Sequence, residues 1–367
     1  MTAFIKGIEL SRTFYQEAVK PILDSHVPDL RYSTALIGNG SEVLGYDTEM
    51  STDHHWGPRV MMFVSEADRA KHETSISQVL SKNLPYTFRG YSTHFGTPQY
   101  GDGDNGTQLL EMITEGAINH RVQMDTLDHF MQSNLGLGLH HVMTPADWLS
   151  IPQQKLLAFT AGEVFHDALG LEAIRERFAG YPHDVWLYLL ACSWSRIGQD
   201  EHLAPRAGYV GDELGSAVMA GRLVRSIMQL CFLMEKRYAP YPKWFGTGFA
   251  QLACAPQLTP ILRQVQTGET YRQREAALVE AYTILNTMHN ALNLTPHISP
   301  AVSDFHGRPF MVSNGWRYSE ALRDAITDDA VQAIAQTTQI GNIDQFTDNT
   351  DMREAVHLRP KIAGLYE

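Results

Sequence analysis

Two short residue groups in this chain could do phosphate chemistry, and Ser41 and Asp53 set them twelve positions apart: Gly40-Ser41 and Asp53-His54-His55. A glycine-serine bend that opens a helix presents free backbone N–H groups and the positive end of the helix dipole, so it can hold the triphosphate tail of a nucleotide. An acid beside that bend can hold the divalent ion that neutralises the same phosphates. Gly40 and Ser41 are read here as nucleotide-binding residues, and Asp53 as a metal ligand with a catalytic role. Arg59, which closes the stretch, can touch a phosphate or pair with Asp53 or Glu42. Far downstream, Lys243 precedes Trp244, a pair that could set an amine on a phosphate and an indole on a base.

The flanking pattern says which elements would position these groups. An apolar run from Tyr32 to Ile37 comes before the bend, and a second, Val60 to Val64, follows the acid. The order implied is strand, glycine-serine bend, short helix, then a strand that opens with Asp53. Side chains alternate along a strand, which puts His55 on the side of Asp53 and His54 on the opposite side.

The stretch GSEVLGYD, Gly40 to Asp47, followed by STDHHWGPR, Ser51 to Arg59, resembles the nucleotidyltransferases of the DNA polymerase beta type. Their signature is Gly-Ser, a short spacer, then Asp-x-Asp on the next strand. The wording is closer still to an uncharacterised bacterial nucleotidyltransferase-like group with a helical second half. The segments Thr144 to Asp167 and Asp184 to Leu252 are similar to the same group. The resemblance implies an α+β fold: a small mixed β-sheet domain followed by an α-helical bundle, with the active site in the cleft between them. It also implies transfer of a nucleoside monophosphate from a nucleoside triphosphate to a small-molecule acceptor, with Mg2+ or Mn2+ holding the triphosphate.

One departure stands out. The signature places Asp at both ends of Asp-x-Asp, whereas this chain has His55 at the second. Imidazole suits zinc, manganese and other transition metals better than magnesium. His55 is thus a substituted metal ligand and catalytic residue, or the mark of a site that binds a nucleotide without turning it over. A third carboxylate usually completes such a site. On the candidate strand His120 to Thr126, Gln123 stands where the acid is expected, and Asp125, two residues on, faces the same side. Asp53, His55 and Asp125 form the expected metal set. Glu201 and Glu163 are candidates for the base that activates the acceptor, Glu201 because it ends a polar run on an apolar helix. Arg222 and Arg225, on another long apolar helix, suit either an ion pair or a phosphate.

Other chemistries find less support. His140-His141 and His166-Asp167 invite a metal-dependent phosphohydrolase reading, but with 16 histidines some pairs arise by chance, and no H-E-x-x-H occurs. G-x-S-x-G is missing, and the run Gly101 to Gly106, although it spells G-x-G-x-x-G, lies in a segment read as a long loop or hairpin and not in a strand-to-helix turn. The run Gly101 to Gly106 lacks the acid ladder of a calcium loop and reads as a solvated turn.

With 367 residues, 44% of them apolar, the chain has material for two domains, drawn here as 1–180 and 181–367. A formal net charge of −12 argues against nucleic acid as a partner. The three cysteines lack metal spacing and suit a reducing cytoplasm. The N-terminal segment reads as an amphipathic helix over residues 7–23, not a signal peptide, and no membrane span is expected. Oligomeric state is not legible. Helices are expected at 108–119, 126–135, 184–201, 211–238, 243–254, 257–267, 270–292, 316–325 and 328–338. Residues 297–315 and the polar tail after Gly341 read as irregular.

Overall fold

Alternation of buried and outward residues along the strand Arg59–Phe63 sets the layers of the first unit. In a computed structural model of the chain, which describes residues 4–53, 55–101 and 104–367, the protein divides into two units. The first comprises residues 1–141 and 155–179, and the second 142–154 and 180–367. The fold is α+β: a small mixed sheet with helices, and a helical unit.

The first unit opens with helices α1 (Gly7–Phe14) and α2 (Lys20–His26), joined by a π-turn over Tyr15–Val19. Strands β1 (Ser33–Leu36) and β2 (Arg59–Phe63) follow, then helix α3 (Glu66–Asn83), whose cap Ser65 accepts from the amide of Asp68. Two small hairpins come next, β3 (Thr87–Phe88) with β4 (Tyr91–Ser92), and β5 (Gln99–Gly101) with β6 (Asp104–Thr107). Strand β7 (Arg121–Asp125) leads into helix α4 (Leu127–Leu135). Helix α5 (Pro145–Ser150) belongs to the second unit; helix α6 (Gln153–Thr160), strand β8 (Glu163–Asp167) and helix α7 (Leu171–Glu176) follow it in the chain. The sheet order is β7-β2-β1-β8; β7 runs parallel to β2, and β1 is antiparallel to both neighbours.

Val60 and Met62 point to one face, where they pack in one core with Leu10, Phe14, Ile76 and Leu80. Phe63 points to the other, against Phe130 in an edge contact of 5.3 Å, and the ring chain continues through Phe159 to Phe178. This alternation turns Arg59 to the Phe63 side, and the register pairs Arg59 with Arg121, and Phe63 with Asp125.

The second unit is built on helices α8 (His183–Asp200), α9 (Leu203–Tyr209), α10 (Glu213–Met234), α11 (Phe245–Phe249), α12 (Ala255–Thr267) and α13 (Tyr271–Ala291). Among the described residues, α10 alone is long and apolar enough to cross a membrane. That qualifies the expectation that no segment would pass such a test. Its Leu223, Ile227, Leu230 and Leu233 are buried, and it packs on α8, α9, α12 and α13 as a core helix.

Three expectations are corrected. Residues 108–119 form no helix; their backbone pairs instead with residues 92–96, as in Glu111 N–H to His94 O and Gly96 N–H to Leu109 O. Residues 297–315 contain a hairpin, β9 (Ser303–Phe305) and β10 (Arg308–Val312), before helices α14 (Gly315–Asp324) and α15 (Asp329–Thr337). The tail is not irregular: α16 (Ile343–Phe346), α17 (Thr350–Glu354) and α18 (Arg359–Ala363) are pinned by the Arg353–Asp344 pair at 2.5 Å and the Arg359–Asp147 pair at 2.7 Å.

Candidate functional site

Gly40 and Ser41 leave β1 as expected, but no helix starts there. Residues 41–45 form a turn, closed by Tyr46 N–H to Ser41 O at 2.9 Å and Gly45 N–H to Glu42 O at 3.2 Å. Gly40 sits at φ +148°, and a Cβ there would stand 2.6 Å from a carboxylate oxygen of Glu42. Only glycine accepts that backbone with that neighbour. The buried Glu42 side chain folds back over the bend and pairs with Arg59, whose guanidinium also donates to Asn39 O at 3.2 Å. The expected cradle of N–H groups at a helix start is therefore replaced by a turn with its own carboxylate laid across it.

The next anchor is Asp47, fully buried. It accepts from the amide of Gly7 at 2.7 Å and the indole of Trp56 at 3.0 Å, with Lys6 Nζ at 3.5 Å. Asp47 thus satisfies the first N–H of α1 and fixes Trp56, which stacks on Phe4. This locks the loop from residue 47 to 58 onto the helix.

Asp53 does not open a strand. It ends a 3-10 turn, Glu49–Asp53, and is exposed; β2 begins six residues later. His54 lies outside the described residues, as do Asp102 and Gly103 of the glycine-rich run. His55 adopts φ +50°, a left-handed backbone uncommon for a side chain of this size. Its Nδ1 lies 2.6 Å from a guanidinium nitrogen of Arg121 and 3.3 Å from the amide of Gln108, while its own amide donates to Gln108 O at 3.2 Å. Both partners of Nδ1 are donors, so this nitrogen is the acceptor and the proton of the neutral ring belongs on Nε2.

Asp125 lies at the far end of β7, paired in register with Phe63 rather than Arg59. Four residues of strand separate the two positions, about 13 Å. Its carboxylate is taken by Arg69 at 2.9 Å and His129 at 2.8 Å. The three expected metal ligands do not fit a shared ion as placed: Asp125 is at the wrong end, and the available lone pair of His55 is already held by two donors. Among the described residues, no three His, Cys, Asp or Glu side chains gather to hold a metal.

The residue that sequence reasoning passed over is Arg121. It stands beside Arg59 on the neighbouring strand, with its guanidinium over the Phe95 ring at 5.6 Å. Burial and then the charge of Arg59 push its pKa down to about 10, against the pull of Glu42. The Nε atoms of both arginines are buried without hydrogen-bond partners among the described residues. Both cations sit close to the Glu42 carboxylate at this end of the sheet. The available signal was register: an Arg at the start of each of two adjacent apolar runs.

The remaining candidates, Glu163, Glu201 and Lys243, lie on β8 or in the second unit. Glu163 is held by Arg12 through two contacts of 2.6 and 2.5 Å. Glu201, in the second unit, is buried and accepts from the amides of Ser313 at 2.6 Å and Gly315 at 3.2 Å, so it ties the end of β10 to the end of α8. Burial pushes its pKa up to about 7, although these N–H donors pull the other way. Lys243, also in the second unit, is exposed in a 3-10 turn with its amine 5.0 Å from the Trp244 ring centre. His166 stacks on Tyr32, and Asp167 accepts from the Ser33 hydroxyl and the amides of Gly170 to Glu172.

Comparisons with known proteins add a partial match. A family model described as a domain of unknown function (DUF4037) matches residues 148–245. No curated protein matches the sequence. A solved structure of a nucleotidyltransferase-like protein from Exiguobacterium sibiricum 255-15 is similar at 10% identity over 82% of each chain, with a TM-score of 0.29. The fold described above stands on its own strands and helices and does not rest on that likeness.

Proposed function

We propose that the first unit is a nucleotide-binding module of the nucleotidyltransferase type, which holds the anionic tail of a nucleotide with Arg59 and Arg121. The observation that carries this reading is the cross-strand arginine pair beside the Glu42 carboxylate. Guanidiniums are planar, weakly hydrated and suited to bidentate phosphate contacts. A phosphate here would exchange with Glu42 for Arg59 and add to the polar contact Arg121 makes with His55. The partners proposed are a nucleotide and a small molecule, in keeping with the net charge of −12.

A second reading retains nucleotidyl transfer, and the exposed Asp53 carboxylate two residues before His55 favours it. Since Asp53, His55 and Asp125 do not fit a common metal, no step is assigned to one. The two readings part in one experiment. Titrate ATP by calorimetry with and without magnesium or manganese, then assay pyrophosphate release over a panel of small hydroxyl and amine acceptors. Binding that survives chelation, without turnover, supports the module. Metal-dependent pyrophosphate release that is abolished in Asp53→Asn overturns it in favour of transfer.

A further inference from the structure

The second unit carries a separate basic pocket that the reading above does not use. Arg222 and Arg225 lie three residues apart on α10 and project from one face, as Arg196 does from α8. The three guanidiniums line one pocket of about 40 Å³ together with Ser226, Gln229 and Gln345. The side chains of Arg196, Arg222 and Arg225 keep 41%, 46% and 42% of their surface, so all three reach solvent. Asp200 is buried and balances part of this charge, 2.7 Å from Arg222 and 3.3 Å from Arg196. Arg225 makes a loose contact, 3.6 Å, with the exposed Asp348. Three cations therefore share one buried carboxylate and one solvated one.

Such a group has no evident use in packing. Asp200 and Asp348 offset two of the three positive charges, which leaves one net positive charge open to solvent.

We propose that this pocket binds a compact phosphate-type dianion, either free phosphate or the terminal phosphomonoester of a small molecule. The small pocket suits a compact group held at its mouth by the exposed guanidiniums. Arg222 and Arg225 supply fork-shaped donors, while the Gln229 side chain already donates to Asp344 O at 3.3 Å. A dianion is preferred to a carboxylate because it offers more charge and more acceptor oxygens to the guanidiniums.

The test is calorimetric titration of the full-length protein with inorganic phosphate, with glycerol 3-phosphate, and with acetate as the control, at fixed ionic strength. Phosphate or the monoester binds and acetate does not; the tighter of the two identifies the source. Arg225→Gln weakens binding at least fivefold, and Asp348→Asn, which removes the competing carboxylate, tightens it twofold or more. Phosphate binding that Arg121→Met abolishes and Arg225→Gln leaves intact belongs to the first unit's site and overturns the proposal. Arg225→Gln is preferred to Arg222→Gln because the latter strips a buried partner from Asp200. No phosphate binding by the wild type, or unchanged affinity in both Arg225→Gln and Asp348→Asn, overturns the proposal.

Discussion

Arg121 donates to Nδ1 of His55 at 2.6 Å, and the amide of Gln108 converges on the same nitrogen at 3.3 Å. That pairing changes what His55 can do. A ring whose lone pair faces a guanidinium is an orienting group for that cation, not a free ligand.

The first prediction concerns Arg121. Arg121→Met is expected to weaken nucleotide binding about tenfold or more, the worth of one charge-assisted phosphate contact. The salt dependence of binding should shrink with it. Calorimetry at two ionic strengths measures both, and unchanged affinity would remove the site from the first unit.

His55→Asp tests the metal question directly. The new carboxylate is expected to pair with Arg121, so nucleotide affinity falls about tenfold and magnesium affinity stays unchanged. Stronger magnesium binding in this variant would mean that position 55 does face a metal site.

Asp47→Ala is expected to destabilise the protein by about 3 kcal/mol or more, because it leaves the Gly7 amide and the Trp56 indole buried and unpaired. Urea denaturation followed by tryptophan fluorescence checks it. A loss below about 1 kcal/mol would mean that water takes over both donors.

Glu201 gives a pH signature. Its folded pKa, about 7, lies above the ordinary value of 4.5. The carboxyl is then neutral on both sides of unfolding below pH 4.5, and stability is lost as pH rises through about 7. The loss amounts to about 3 kcal/mol at 1.4 kcal/mol per unit. Burial pushes His289 the other way, down to about 4, so its stabilising effect is lost on acidification. The measurement is therefore the difference between wild type and Glu201→Gln across pH 4–8. It should grow in favour of the variant as pH rises, and a flat difference would refute the assignment.

Much of the frame could be read from residue order, and the failures have identifiable causes. Ser65 before Glu66, and Thr144-Pro145 with Asp147, announced helix starts through local capping chemistry, and both caps are present. Strands β1 and β2 show as apolar runs, and β7 as a candidate strand over His120 to Thr126. The helices after Gly341 were missed because they are four or five residues long and held by distant ion pairs, a tertiary effect with no local signature. The β9–β10 hairpin did carry a signal: His306-Gly307 sit at φ +52° and +72°, the left-handed pair of a two-residue turn. At the candidate site, the spacing of Gly40, Ser41 and Asp53 marks the loop that carries Glu42 and His55. It did not reveal that Glu42 folds over the bend, that Asp53 stops short of the strand, or that register brings Arg121 rather than Asp125 beside His55.

The interleaving of the two units has a consequence for biosynthesis. Residues 142–154 leave the ribosome well before Asp344, Arg353 and Arg359, the groups that later hold the Gln153 amide at 2.7 Å and Asp147 at 2.7 Å. Strand β8, which closes one side of the sheet, follows them. A nascent chain can thus finish its sheet while a stretch threaded through the middle of that unit's sequence still waits, bare, for partners not yet translated. A fragment ending at Ala179 would freeze that waiting state, with Asp147 and the backbone of Gln153 open to solvent and to chaperones.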